Sequence, residues 1–204
     1  MESAINLTFY FDVLCPFAWR TSIWIRRVAK ERPVRITWKQ FSLAAANDAD
    51  PSSQFMQRDV ALGRTFILAG REGGDESVDR LYRALGDVIH GRGEDPTEPA
   101  AMAGALAAAG LAPDLHDRAM ADQSTEQDYW ASHEEVLGLG GFGVPTLVLE
   151  GSDLAYFGPV VDPVPDGAQA LELWDYTHWA LRQANMWEFK RQRHGDLARQ
   201  FSDA

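Results

Sequence analysis

The chain has 204 residues, is 46% hydrophobic and carries a formal net charge of −11 at pH 7. That length and apolar content suit one domain, or one domain with an insertion, and exclude a disordered or fibrous chain. The acidic balance argues against nucleic acid and anionic membrane as main partners, because both require a basic surface. Met1 to Leu7 shows no basic stretch leading into an apolar core, and no window is long enough to cross a bilayer. The sequence therefore reads as a soluble cytoplasmic protein. Its single cysteine excludes an internal disulfide, so any partner thiol comes from outside the chain.

Ile5, Leu7, Phe9 and Phe11 alternate with Asn6, Thr8, Tyr10 and Asp12, the period of a strand. The strand breaks directly into Cys15-Pro16. Proline suits the first turn of a helix, which places Cys15 at the N-cap. There its sulfur faces free N–H groups and the positive end of the helix dipole, which lowers a thiol pKa and makes Cys15 a candidate nucleophile. The plainer reading is a buried structural cysteine.

Phe17, Thr21, Trp24, Ile25 and Val28 share a helical face from Pro16 to Lys30, and Pro33 ends that helix. Val34, Ile36 and Trp38 then alternate as a second strand, completing a βαβ unit with parallel strands. From Asp48 to Leu139 the pattern is helical, with Ser77 to His90 periodic, Ala100 to Ala109 alanine-rich, and Ser132 with Glu135 resembling a capping box. Thr146 to Glu150 and Leu154 to Phe157 flank the turn Gly151-Ser152-Asp153 as an antiparallel hairpin. Asp166 with Gln169 then caps a last helix, on which Leu171, Trp174, His178 and Leu181 form a core stripe. Arg20, Arg26 and Arg27, and Lys190, Arg191 and Arg193, read as solvated faces.

This order, βαβ then helices then ββα, resembles a thioredoxin-like α/β fold with a helical domain inserted between the second and third strands, the architecture of the DsbA family. The implied division is 1–47 and 140–204 for the thioredoxin-like domain and 48–139 for the insertion. Val144-Pro145 stands at the start of the third strand, where that fold places a cis-proline loop whose backbone receives the substrate beside the nucleophile. More closely, the chain resembles the actinobacterial mycothiol-dependent reductases of that family, through Phe11-Asp12, Cys15-Pro16, Trp19, Thr21-Ser22, Trp24, Ile89-His90, Val144-Pro145-Thr146, Phe157-Gly158-Pro159-Val160, Leu173-Trp174-Asp175 and Glu188-Phe189-Lys190-Arg191.

The resemblance breaks at one position. Dithiol relatives carry Cys-Pro-Trp-Cys, whereas this chain reads Cys15-Pro16-Phe17-Ala18. Ala18 cannot resolve a mixed disulfide, so the implied cycle is monothiol: Cys15 attacks a disulfide or electrophilic substrate, and mycothiol or glutathione regenerates it. No tightly bound cofactor is implied. Asp12 either tunes the thiol or ends a strand. His90 either lines the cleft over the thiol, as the resemblance implies, or interacts with a helix C-terminus before Gly91. Phe17 and Trp19 form an aromatic wall or simply pack.

Two motif matches are set aside. Gly138-Leu139-Gly140-Gly141-Phe142-Gly143 spells a dinucleotide fingerprint, but helix precedes it and strand follows, the reverse of what a pyrophosphate needs. His133-Glu134 lacks the second histidine of a zinc helix, and no metal is expected. The competing readings are a small-thiol transferase or isomerase of the kappa-class type, and a non-catalytic ligand- or protein-binding descendant. Substrate, choice of thiol and a homodimer all stay open.

Overall fold

The computed structural model describes residues 4–188, 190 and 191. Phe189 and Arg193 lie outside them. Three segments set the frame: β1 (Ile5–Phe11), α1 (Pro16–Glu31) and β2 (Val34–Gln40). The helices α2 (Leu43–Ala46), α3 (Gln54–Gly86), α4 (Pro99–Ala108), α5 (Leu115–Ala121) and α6 (Ser124–Gly138) follow. The chain then returns through β3 (Thr146–Leu149), β4 (Tyr156–Phe157) and α7 (Gly167–Ala180). The sheet order is β2-β1-β3-β4, with β1 parallel to β2 and antiparallel to β3, and β3 antiparallel to β4.

Strand β1 is interior to the sheet, and Leu7, Phe9, Tyr10 and Phe11 are all buried. The expected polar face of this strand is therefore absent at its C-terminal end, because an interior strand is covered on both sides. Phe11 stacks on Tyr82 of α3 at 3.9 Å between centroids, and Phe66 meets Phe11 edge-on at 5.1 Å. These rings bind the helical segment to the sheet.

Strand β2 lies at the edge, where an unpaired ladder invites aggregation. A break in α3 at Gly73 and Gly74 brings Asp75 to that edge. Its carboxylate accepts Trp38 N–H at 3.0 Å and Thr37 Oγ1–H at 3.1 Å. Gly74 has φ +64 and ψ −164, a conformation that glycine alone enters readily.

The first helix differs from its expected single apolar face. Arg20 and Arg26 are buried, not solvated, since α1 is enclosed by α7, by α3 and by the segment after β4. Arg20 pairs with Asp162. Arg26 Nε donates to Asp79 of α3 at 2.5 Å, its Nη1 to Ser22 Oγ at 2.6 Å, and the guanidinium lies 4.5 Å from the Trp38 ring and 4.9 Å from the Tyr82 ring. Arg27 donates to the carbonyls of Val164 and Pro165.

Other departures are local. Ser132 and Glu135 sit within α6 instead of starting it: the helix begins at Ser124, whose N–H is accepted by Asp122 Oδ1 at 2.9 Å. Ser132 donates to the Gln40 carbonyl and Glu135 pairs with Lys39, so both hold α6 against β2. Strand β4 is only two residues long. Asp166 is the N-cap of α7 but its side chain makes no capping bond. Of the expected stripe, Trp174 on α7 and Leu181 just after it are core, Leu171 is half-buried, and His178 stacks on Trp174 at 5.4 Å. No helix among the described residues is long and apolar enough to cross a membrane.

Asp79→Ala is expected to destabilise the fold by about 3 kcal/mol, because it strands a buried guanidinium between α1 and α3. Urea denaturation checks this, and a loss under 1 kcal/mol on the order of a surface pair would contradict it.

Candidate functional site

β1 ends at Phe11, and the turn Asp12-Val13-Leu14 carries the chain into α1. Asp12 organises the turn: its carbonyl accepts Cys15 N–H at 3.0 Å, and its Oδ1 accepts Leu14 N–H at 2.8 Å. Cys15 is the N-cap of α1, in extended conformation, with Pro16 next. Its Sγ accepts Ala18 N–H at 3.4 Å. The expected capping geometry is therefore present, and only 5% of the residue is exposed.

The second wall comes from the far end of the chain. Val144 O lies 3.7 Å from Sγ, positioned to accept the thiol proton. The Val144–Pro145 peptide is cis. The loop is tied down by Thr146 Oγ1–H to Gly143 O at 2.6 Å and by Gly158 N–H to Pro145 O at 2.8 Å. The two contacts act oppositely: Ala18 N–H favours thiolate, while the Val144 carbonyl favours thiol. Ionisation keeps the first and gives up the second.

Aromatic groups cover this turn. Trp19 is buried over Gly86, where an added Cβ would lie 2.3 Å from the ring. His90 stacks on Trp19 at 6.0 Å and donates from Nε2 to Val13 O at 2.8 Å. It reaches that carbonyl from a π-turn, Asp87–Gly91, that extends α3. Burial first, and then Arg20, push the His90 imidazole below its ordinary value. Phe17 and Pro16 are half-buried. Of the residues expected at the site, Cys15, Pro16, Phe17, Ala18, Trp19, Asp12, His90, Val144 and Pro145 thus belong to one neighbourhood.

The glycine run before Val144 lies between α6 and β3. At Gly141 an added Cβ would come within 2.9 Å of Val136 O, and at Gly143 within 3.3 Å of the Phe157 ring. Close approach explains these glycines. Phe142 and Phe157 stack at 5.3 Å and are both exposed, Phe142 at 70%. Sequence reasoning missed this pair, as it missed Asp59, which reaches Asp12 from α3, and Ser42, the cap of α2, whose hydroxyl donates to Asp59.

A thiol capping the first helix of a β2-β1-β3-β4 sheet, faced by the carbonyl before a proline opening β3, defines a DsbA-like protein of the thioredoxin fold. Residues 14–191 match the Rv2466c-like model, described as mycothiol-dependent nitroreductase Rv2466c, and the chain belongs to that family. It is 36% identical over 189 residues to Rv2286c of Mycobacterium tuberculosis, covering 91% of this chain and 81% of that relative. Among solved structures, the cytosolic disulfide reductase DsbM from Pseudomonas aeruginosa superposes with a TM-score of 0.61 at 11% identity, covering 85% of this chain and 98% of that one. A 2-hydroxychromene-2-carboxylate isomerase gives 0.59 at 17%, covering 86% and 95%. DsbA from Xylella fastidiosa gives 0.55 at 21%, covering 85% and 84%. At these identities the structural matches establish the fold.

His90 yields a pH test. Its folded pKa lies below the ordinary 6.5, so the unfolded chain binds the extra proton, and the stability from neutral His90 is lost as pH falls below that value. His90→Ala is expected to cost about 1 kcal/mol at alkaline pH and less in acid, as read by urea denaturation. An equal cost at both would contradict the assignment.

Proposed function

We propose that the protein is a monothiol, mycothiol-dependent oxidoreductase with Cys15 as its only redox centre. The observation that carries this reading is the Cys15 Sγ held at a helix N-cap by Ala18 N–H, in a family described by mycothiol-dependent reduction. The Cys15 thiolate attacks a substrate disulfide, forming one sulfur–sulfur bond, while the displaced half leaves as a thiolate and takes a proton from water. A mycothiol thiolate then attacks the substrate-side sulfur of the mixed disulfide. Cys15 leaves as thiolate, and the substrate departs joined to mycothiol. Electrons balance: the disulfide bond is exchanged and nothing further is oxidised.

The residues divide this work. Ala18 N–H and the first turn of α1 stabilise the Cys15 anion as attacking and leaving group. The backbone of Val144 presents its carbonyl to the sulfur, where an incoming chain or thiol would lie. Neutral His90 holds the Val13 carbonyl, and Trp19 stacks on the His90 ring. Asp12 anchors Leu14 and Cys15 through their N–H groups. A sulfur that must be restored by a reduced small thiol works in a reducing compartment, which favours the cytoplasm.

Cys15→Ser is expected to abolish mycothiol-dependent disulfide reduction. Incubation of the wild-type chain with oxidised mycothiol, followed by intact mass measurement, is expected to show one mycothiol adduct that persists until reduced mycothiol is added. Turnover with no adduct would instead assign a transferase or isomerase. Ala18→Cys restores a resolving thiol beside Sγ, and the same adduct is then expected to collapse to an intrachain disulfide. A persistent adduct in that variant would contradict the geometry.

A further inference from the structure

Behind the nucleophile turn lies an acid that the reaction above does not use. Asp59 of α3 is buried, as is Asp12, and the two carboxyl groups face each other within hydrogen-bonding range. The donors around them are neutral. Leu14 N–H meets Asp12 Oδ1 at 2.8 Å and Leu43 N–H meets Oδ2 at 3.1 Å. The Ser42 hydroxyl donates to Asp59 Oδ2, and the Ala44 N–H also serves Asp59.

The titratable groups facing the pair are the phenols of Tyr82 from α3 and Tyr129 from α6. Cys15, from the N-terminus of α1, is sensed by the same Tyr82. His133 of α6 accepts Ser42 N–H on Nδ1 at 3.2 Å, so it brings no proton to that side. None of the ion pairs among the described residues includes Asp12 or Asp59. Two buried carboxyl groups in contact, with no cation, do not both ionise.

We propose that Asp12 and Asp59 share one proton at neutral pH, and that Asp59 is through it a positioning residue for Cys15, fastening α3 to the turn that carries the sulfur. Force on the Asp12 carboxyl passes to the nucleophile through two short links, Oδ1 to Leu14 N–H and the Asp12 carbonyl to Cys15 N–H. Burial pushes Asp59 up to about 6 and Asp12 well above the ordinary carboxylate range. Both shifts run toward the protonated form, the direction that a buried carboxyl pair without a cation requires.

The inference builds on Cys15 as the nucleophile, but its test reads proton content and thiol alkylation and needs no turnover. A chain that alkylates without turning over would sink the functional reading and leave this one standing. Infrared spectra of the full chain at about pH 8 are expected to show one protonated carboxyl stretch, lost in Asp59→Asn, whose amide donates to the Asp12 carboxylate in place of the proton. Iodoacetamide alkylation of Cys15, divided by thiolate absorbance, is expected to stay within about twofold of wild type in Asp59→Asn. It is expected to change on the order of tenfold in Asp59→Leu, which cannot donate. In Ser42→Ala the first infrared ionisation is expected to move above about 6, since the hydroxyl that stabilises the Asp59 carboxylate is gone. The proposal is overturned by a wild-type spectrum without the protonated band, by a band that survives in Asp59→Asn, or by wild-type alkylation in Asp59→Leu. Should Asp59→Leu fail to fold, the two infrared comparisons decide alone.

Discussion

Everything at the site depends on one sulfur being held between a helix N-terminus and a carbonyl from the other end of the chain. Ala18 N–H fixes Sγ from inside the first turn of α1, and Val144 O meets it from the loop before β3. The first contact is local to α1, but the second joins distant parts of the chain and requires β1 and β3 to lie side by side in a fixed register. Tyr10 opposite Thr146 supplies it, placing the loop at residues 143–145 alongside the end of β1. The sheet thus serves the site by alignment, with the sulfur just beyond the end of β1.

The helical segment between β2 and β3 does more than cover that sheet. Its long helix reaches the edge strand through Asp75, the first helix through Asp79, and the Asp12 turn through Asp59. The helix is then extended by the π-turn that brings His90 to Val13 O. Four polar contacts thus converge from one chain segment onto the surroundings of Cys15. Buried polar contacts of this kind add little net stability, yet each is costly to leave half-made, so they specify where α3 sits. Arg26 shows the same logic, exchanging water for Asp79, Ser22 and the faces of Trp38 and Tyr82.

Much of this was legible from the chain alone where spacing is local. Period-two strands, the proline after Cys15 and the βαβ order led to the sheet pairing and to the capped thiol. Resemblance to the DsbA family added the loop at Val144, which no local pattern could place beside Cys15. What stayed hidden were partners chosen by tertiary packing. Arg20 and Arg26 have the composition of a solvated face and become buried because α1 is enclosed on several sides. Ser132 and Glu135 match a capping box in sequence, but α6 starts earlier, at Ser124, where Asp122 accepts the first N–H. Asp59 looks like any acidic residue on an amphipathic helix; only the approach of α3 to the Asp12 turn gives it a role.

Ala18 gives the active site its particular character. In that position its N–H supports the sulfur, while its methyl group offers no second thiol, so in the proposed cycle the mixed disulfide is resolved by a thiol from outside the chain. The most direct test of this account is the ultraviolet thiolate absorbance of the wild-type chain minus that of Cys15→Ser across a pH titration. The account predicts a substantial thiolate signal already present at neutral pH. A difference spectrum that stays flat until well into the alkaline range would show that the Val144 carbonyl wins over the helix N-terminus, and would contradict an activated nucleophile.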